Sequence, residues 1–336
     1  MTASPVELRR GPAVKVVDGP RTETVPREEW GARLEELLAG ARNVHLHSPD
    51  GDLHARRTKK GTWLTSRGRP SSPRPAATAH DRPPQHPLPE GHPLFAATKV
   101  SHDKRRQVQH YVELLRPLPI WERERVRVVD AGCGKANMSL ALVAYGRERG
   151  TRVELVGLDA NPSVIATVRD IADGLGYDEA TFEATTIAAY TSPEPIDLLV
   201  SLHACDTATD EAIAAGVRLG AEAIVVAPSC HHELAAQIAR NAKDGLLRHG
   251  LLLGRQADLI TDALRAGALE ALGYRVDVIE FVSAEHTAKN VMLRAVRAPS
   301  PSRSARARRE FVELRDRYGV DPAVQRLLGR ELGVTA

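Results

Sequence analysis

From Val126 onward the chain alternates short apolar runs with longer amphipathic ones, and this alternation constrains the fold more than any other feature. VRVVDAG, VELVGLDA, IDLLVSLHA, AIVVAPS, YRVDVIEFVS and NVMLRAVRA read as strands. Most of them are apolar on both sides, as strands covered on two faces are. NMSLALVAYGRERG, NPSVIATVRDIADGLG and TDEAIAAGVRLG separate the early strands and carry helical periodicity. Strands alternating with helices specify an α/β fold, a parallel sheet wrapped by helices. The last two strands lie close together in sequence, which predicts a closing antiparallel hairpin.

The remaining chain divides by composition. Residues 1–65 read as a small α+β module: a helix over REEWGARLEELLAG, then short strands in NVHLHSPDGDLHARRTKKGTWLTS with turn signals at Asp50-Gly51 and Lys60-Gly61. Residues 66–95 are dense in proline and read as a linker. Residues 96–300 hold the sheet, preceded by an amphipathic helix that starts at Ser101 and sets Val108, Val112 and Leu115 on one side. Residues 301–336 form a helical tail of two helices, the second starting at Asp321 with Pro322 in its first turn.

Charge is distributed unevenly. The whole chain of 336 residues has a formal charge of only +3, yet residues 51–110 carry 12 basic residues against 4 acidic ones. A second basic run spans Arg303 to Arg309. Such runs suit a polyanion such as RNA or a solvated surface alike. Aromatic residues make up 4%, so a broad stacking platform for bases is not expected. Three cysteines, Cys133, Cys205 and Cys230, do not make a disulfide scaffold, and a reducing cytoplasm is expected. The start of the chain lacks the apolar core of a signal peptide, and no run reaches the roughly 20 apolar residues of a membrane span.

In an open parallel sheet, ligands bind beyond the carboxyl ends of the strands, where the strand order reverses. The first strand runs into VVDAGCGKANMSLAL, which puts Asp130, Gly132 and Gly134 in a tight turn before a helix. Glycine permits positive φ and lets a ligand approach the backbone. The second strand ends in VGLDANPSV, with Asp159, Ala160 and Asn161 at its tip. A carboxylate in that place accepts both hydroxyls of a ribose. The nicotinamide-cofactor fingerprint is met less well, because Asn137 stands at its third glycine position.

Together, VVDAGCGKANMSLAL, VGLDANPSV and IDLLVSLHA resemble the sequential motifs of the class I S-adenosylmethionine-dependent methyltransferases. The pattern D/E-x-G-x-G-x-G is matched at Asp130, Gly132 and Gly134, with Ala136 in place of the final glycine. The resemblance implies a Rossmann-like seven-stranded sheet and S-adenosyl-L-methionine as cofactor. It implies Asp130 and the glycine turn at the methionine part, and Asp159 at the ribose. It further implies the adenine near Thr186 and Ile187, and Ser201 on the fourth strand at the cofactor. The pairing of LHACDTATD with PSCHHE, preceded by DKRRQVQHYVELL and followed by EHTAKN, is similar to a methyltransferase group related to the tRNA acceptor-stem 2'-O-methyltransferases. On that likeness Lys104 and Gln107 join the cofactor set, while Lys289, Asn290 and His286 fall in the terminal hairpin.

The same likeness makes the fourth and fifth strands neighbours, so that His203, Cys205 and Asp206 meet Cys230, His231, His232 and Glu233 across one cleft. Three readings of this cluster stand. His203, Asp206 or His231 is the base or orients the nucleophile; the cysteines and two histidines bind zinc; or Asp206 caps the following helix, the cysteines fill small apolar gaps and the histidines satisfy buried backbone. The catalytic set is taken as His203, Asp206 and His231, without a metal. No NPPY-like run follows the fourth strand, which turns the expectation from exocyclic amines to an oxygen or a ring nitrogen. The expectation is an enzyme that methylates RNA, either tRNA or rRNA, with no membrane association. A protein or small-molecule methyltransferase and a non-catalytic scaffold are the alternatives.

Overall fold

The computed structural model describes residues 2–8, 11–18, 21–47, 52–68, 86–202, 206–228, 231–241, 245–281 and 291–334. The chain forms two compact units, Met1–Gln85 and His86–Ala336.

The first unit contains two antiparallel sheets and a helix. Strands β1 (Thr2–Leu8), β2 (Gly11–Asp18) and β3 (Arg21–Pro26) form a meander, which the sequence reading did not anticipate. Helix α1 (Trp30–Gly40) follows, and Arg33 on it pairs with Glu23 and Glu36, each at 2.7 Å. Strands β4 (Asn43–Leu46), β5 (Asp52–Arg57) and β6 (Trp63–Gly68) make the second sheet in sequence order.

The second unit opens with α2 (Pro93–Ala97) and α3 (His102–Leu115). Ser101 caps α3 by accepting the Lys104 amide at 3.2 Å, and Val108, Val112 and Leu115 are buried, as their spacing requires. The sheet follows: β7 (Arg125–Ala131), β8 (Arg152–Asp159), β9 (Ala180–Ala184), β10 (Leu198–Leu202), β11 (Ala223–Ala227), β12 (Tyr274–Glu280) and β13 (Val291–Arg297). Its order is β12-β13-β11-β10-β7-β8-β9. Strands β7 to β11 are parallel, and β13 runs antiparallel to both β11 and β12. This is the Rossmann-like seven-stranded arrangement expected, closing hairpin included. The seventh strand is β9, whose single buried side chain, Phe182, leaves no apolar run to stand out in the sequence.

Helices cover both faces. Helix α4 (Asn137–Arg149) and α5 (Pro162–Gly174) join α3 over one core, which contains Tyr111, Leu140, Val143 and Ile165. Helix α6 (Thr207–Arg218) and α8 (Gly250–Ala271) cover the other, with α7 (His232–Asn241) between them in sequence. The expected tail is part of this second layer. Helices α9 (Pro301–Tyr318) and α10 (Ala323–Leu332) bury Ala307, Phe311, Val324, Leu328 and Leu332 in it, and Pro322 is the N-cap of α10. Burial of these side chains, each removing apolar surface from water, fastens a segment that reads as an appendage.

The expected linker is likewise shortened at both ends. Strand β6 continues to Gly68, and Leu88, Leu94 and Phe95 are buried. The Gln109 side chain brackets Leu88, accepting its amide at 3.1 Å and donating to its carbonyl at 2.7 Å. Residues 69–85 lie outside the described residues. No helix among the described residues is long and apolar enough to cross a membrane.

Candidate cofactor and acceptor site

Between β7 and β10 the sequence order of the strands reverses, and the turn after β7 lies at that point. The amides of Gly132 and Cys133 both donate to the Leu158 carbonyl, at 2.9 and 2.8 Å, which folds the turn back over β8. Gly132 (φ +81°), Gly134 (φ +51°) and Ala136 (φ +49°) all adopt left-handed backbone. A Cβ placed on Gly132 or Gly134 would meet no atom within 4 Å, so the glycines leave open ground over the turn. Ala136 takes the strained conformation that the family pattern gives to glycine, at a cost of about 1–2 kcal/mol.

Asp159 joins the two strand ends. One carboxylate oxygen accepts the Gly134 amide at 3.1 Å and the other the Asn161 amide at 2.9 Å, leaving lone pairs for further donors. Asn161 itself caps α5 through the Ser163 amide at 3.0 Å, and Ala160 is exposed. The Thr185 amide donates to the Asp159 carbonyl at 3.0 Å, which sets exposed Thr186 and half-buried Ile187 beside the strand tip.

Asp130 is 5% exposed and accepts a hydrogen bond from the Ser139 hydroxyl on α4. Burial pushes its carboxyl up to about 7; the Ser139 bond opposes this and the charge of Asp159 adds to it. On α3, Lys104 donates to Gln107 at 2.8 Å, and burial lowers the pKa of its ammonium. Lys104 is therefore a half-desolvated cation and not a freely solvated surface lysine. Ser201 departs from expectation: its buried hydroxyl donates to the Ala131 carbonyl at 2.7 Å, so its proton fastens β10 to the end of β7. Tyr111, absent from the sequence reading, is fully buried with a hydroxyl that has no hydrogen-bond partner among the described residues. Burial and the charge of Asp130 hold its phenol well above the usual range.

These residues fit S-adenosylmethionine. The space over Gly132 and Gly134 admits a ligand against the backbone, Asp159 supplies acceptors for ribose hydroxyls, Asp130 suits an ammonium, and Lys104 suits a carboxylate.

On the acceptor side, His203, Cys205 and Cys230 lie outside the described residues, as do His286, Lys289 and Asn290. Asp206 is described and half-buried, with a left-handed φ of +50°. Its side chain does not cap α6, as the sequence suggested; it accepts the Glu233 amide at 3.2 Å and so caps the first turn of α7. Glu233 in turn accepts the Ala323 amide at 3.3 Å and pairs with Arg326, so its carboxylate serves α10. His232 is exposed.

His231 lies in a buried, acidic setting. The ring is 4% exposed and lies between two carboxylates of α8, Nδ1 at 3.0 Å from Asp258 and Nε2 at 2.9 Å from Asp262. Both nitrogens face the protein's own acids, and Nε2 is hydrogen-bonded to Asp262, which ties the start of α7 to α8. Arg265, 1% exposed, extends this tie: it binds Asp210 at 3.1 and 2.7 Å, Asp262 at 3.3 Å and the Asp206 carbonyl at 2.9 Å. Helix α8 thus fixes both acceptor-side segments. The α8 part of this network was legible in DLITDALR, where Asp258, Asp262 and Arg265 recur at helical spacing. Among the described residues, no group of three or more His, Cys, Asp or Glu side chains gathers as a metal site.

A family match overlaps this site. Residues 103–237 match the model of a family described as a methyltransferase domain. The trans-aconitate 2-methyltransferase of Streptomyces avermitilis is 27% identical over 209 residues, covering 57% of this chain and 74% of that protein. Among solved structures, a magnesium protoporphyrin IX methyltransferase from Synechocystis with bound S-adenosylmethionine aligns at a TM-score of 0.38 and 15% identity, over 62% of this chain and 92% of that one. An rRNA methylase from Streptococcus thermophilus aligns at 0.37 and 12%, over 59% and 98%. The family match begins in the helix that carries Lys104 and ends in the helix after His231, taking in the glycine turn and Asp159; over residues 103–237 the chain carries a methyltransferase domain.

Proposed function

We propose that the enzyme methylates RNA, a tRNA or rRNA, at a ribose oxygen or a base ring nitrogen. The observation that carries this reading is the division of charge between the two units. Residues 1–85 hold 15 basic against 10 acidic residues, a net +5, whereas residues 86–336 hold 31 against 33, a net −2. A unit with excess positive charge, joined to a catalytic unit without it, suits a polyanionic acceptor held by its backbone.

When bound, the cofactor supplies an electrophilic methyl group that passes directly to the acceptor, whose proton must leave. The chain's part is to hold and align. The glycine turn with Asp130 would hold the cofactor's methionine part and Asp159 its ribose, and α8 holds the segments that lead into the acceptor side. Asp206 is the described carboxylate best suited to take the proton, because it is half-exposed and fixed at both ends of its residue, by Arg265 at the carbonyl and by the Glu233 amide at the side chain.

A second reading, methylation of a small carboxylic acid, is supported by the similarity to the trans-aconitate enzyme. Incubation with methyl-labelled S-adenosylmethionine and, separately, total RNA, total protein and trans-aconitate distinguishes the two. Label in RNA that falls steeply with salt supports the proposal. Label in trans-aconitate with none in RNA overturns it.

A further inference from the structure

We propose that one face of the β4–β5–β6 sheet is a binding surface for single-stranded RNA, with His45 and His54 as the stacking groups. The proposal rests on the RNA reading above and adds a surface that the methyltransferase fold does not supply.

The register places these residues together. His45 pairs with His54 and His54 with Ser66, while Asn43 pairs with Arg56 and Arg56 with Leu64. Directly opposed residues in an antiparallel sheet share a face, so Asn43, His45, His54, Arg56, Leu64 and Ser66 form one surface. They line a shallow concavity of about 350 Å³, near the lower end of the roughly 300–1,000 Å³ of small-ligand sites. The two imidazoles meet edge to face with ring centroids 4.3 Å apart. His45, Arg56 and Ser66 are exposed, and Leu64 is 54% exposed.

Each feature suits a base on a charged strand. Imidazole faces stack with bases, a guanidinium binds phosphate or stacks, and the Asn43 amide and Ser66 hydroxyl offer donors and acceptors to base edges. The hairpin joining β5 to β6 adds Lys59 and Lys60 for the backbone. A duplex hides its base faces, whereas a single strand presents them to a surface of this depth. A metal ion is a poorer occupant, because no three ligands gather among the described residues and His47 lies 3.0 Å from Asp52. The scarcity of aromatics in the composition concealed the surface, since the ring faces here belong to histidine.

The test uses the full chain, a labelled single-stranded mixed-sequence oligoribonucleotide and fluorescence anisotropy at two salt concentrations. His45→Ala and His54→Ala should each weaken binding about five- to a hundredfold, and Arg56→Ala should weaken it and flatten the salt dependence. Affinity for S-adenosylmethionine, measured on the same samples, should not change, which shows that the catalytic unit is intact. Unchanged RNA affinity in the double histidine variant overturns the proposal, as does equal competition by duplex RNA or by polyglutamate. The RNA reading fails separately: if wild-type protein binds the strand through His45 and His54 but labels no RNA, the surface stands and the acceptor assignment falls. If RNA is labelled and the histidine variants bind it normally, the acceptor assignment stands and the surface falls.

Discussion

The Asp159 carboxylate accepts the Gly134 amide at 3.1 Å, so the acid that ends β8 is tied to the turn that ends β7. The cofactor pocket is thereby built from two neighbouring strands before any ligand arrives.

Gly134 tests the use of that turn. A methyl group there meets no protein atom within 4 Å, but the residue sits at φ +51°. Gly134→Ala should therefore cost only about 1–2 kcal/mol of stability through backbone strain. Cofactor affinity should fall at least tenfold, because the new Cβ enters the space left for the ligand. Urea unfolding and calorimetric titration on the same variant separate the two effects.

Asp130 predicts opposite pH trends for stability and for binding. Its folded pKa of about 7 lies above the unfolded value near 3.9, so the folded state holds this proton more tightly. Its stabilising contribution is fully present below about pH 4 and is lost as pH rises through 7. Asp130→Asn should then be more stable than the wild type at pH 8, by on the order of 1–3 kcal/mol, with the difference shrinking by pH 5. Cofactor affinity of the wild type should instead rise through pH 7, as the carboxylate ionises opposite the ammonium. Thermal melts and titrations at pH 5, 6, 7 and 8 check both trends.

Arg265 carries the buried network on the acceptor side. Arg265→Met leaves Asp210, with a side chain 3% exposed, without its partner, and should destabilise by about 3–5 kcal/mol. Adding Asp210→Leu should recover much of that loss, since a buried apolar pair replaces an ion pair at little cost. Denaturant unfolding of the single and double variants gives the coupling. Affinity for S-adenosylmethionine in the double variant should stay within threefold of the wild type, because the glycine turn and Asp159 lie outside the network.

The sheet and the cofactor turn were legible because the two-sided apolar strands, the glycines and Asp159 are local signals. The acceptor side was less so. His231 occupies the place expected for a base, yet its partners Asp258 and Asp262 stand 27 and 31 residues later, and no local pattern pairs them. Asp206 has the sequence context of a cap for α6; only the packing of α7 beside it diverts the side chain. Leu88 and Phe95 sit in a proline-dense segment whose local preference is extended, and burial in the core decides their placement.

The most direct test of the central claim is isothermal titration of wild-type protein and Asp159→Ala with S-adenosylmethionine, with NAD as the control ligand. The structure predicts micromolar binding of S-adenosylmethionine, at least tenfold weaker in Asp159→Ala, and no binding of NAD. Equal affinity of the two proteins for S-adenosylmethionine, or binding of NAD in its place, would contradict the assignment of the cofactor to the turn formed by Gly132, Gly134 and Asp159.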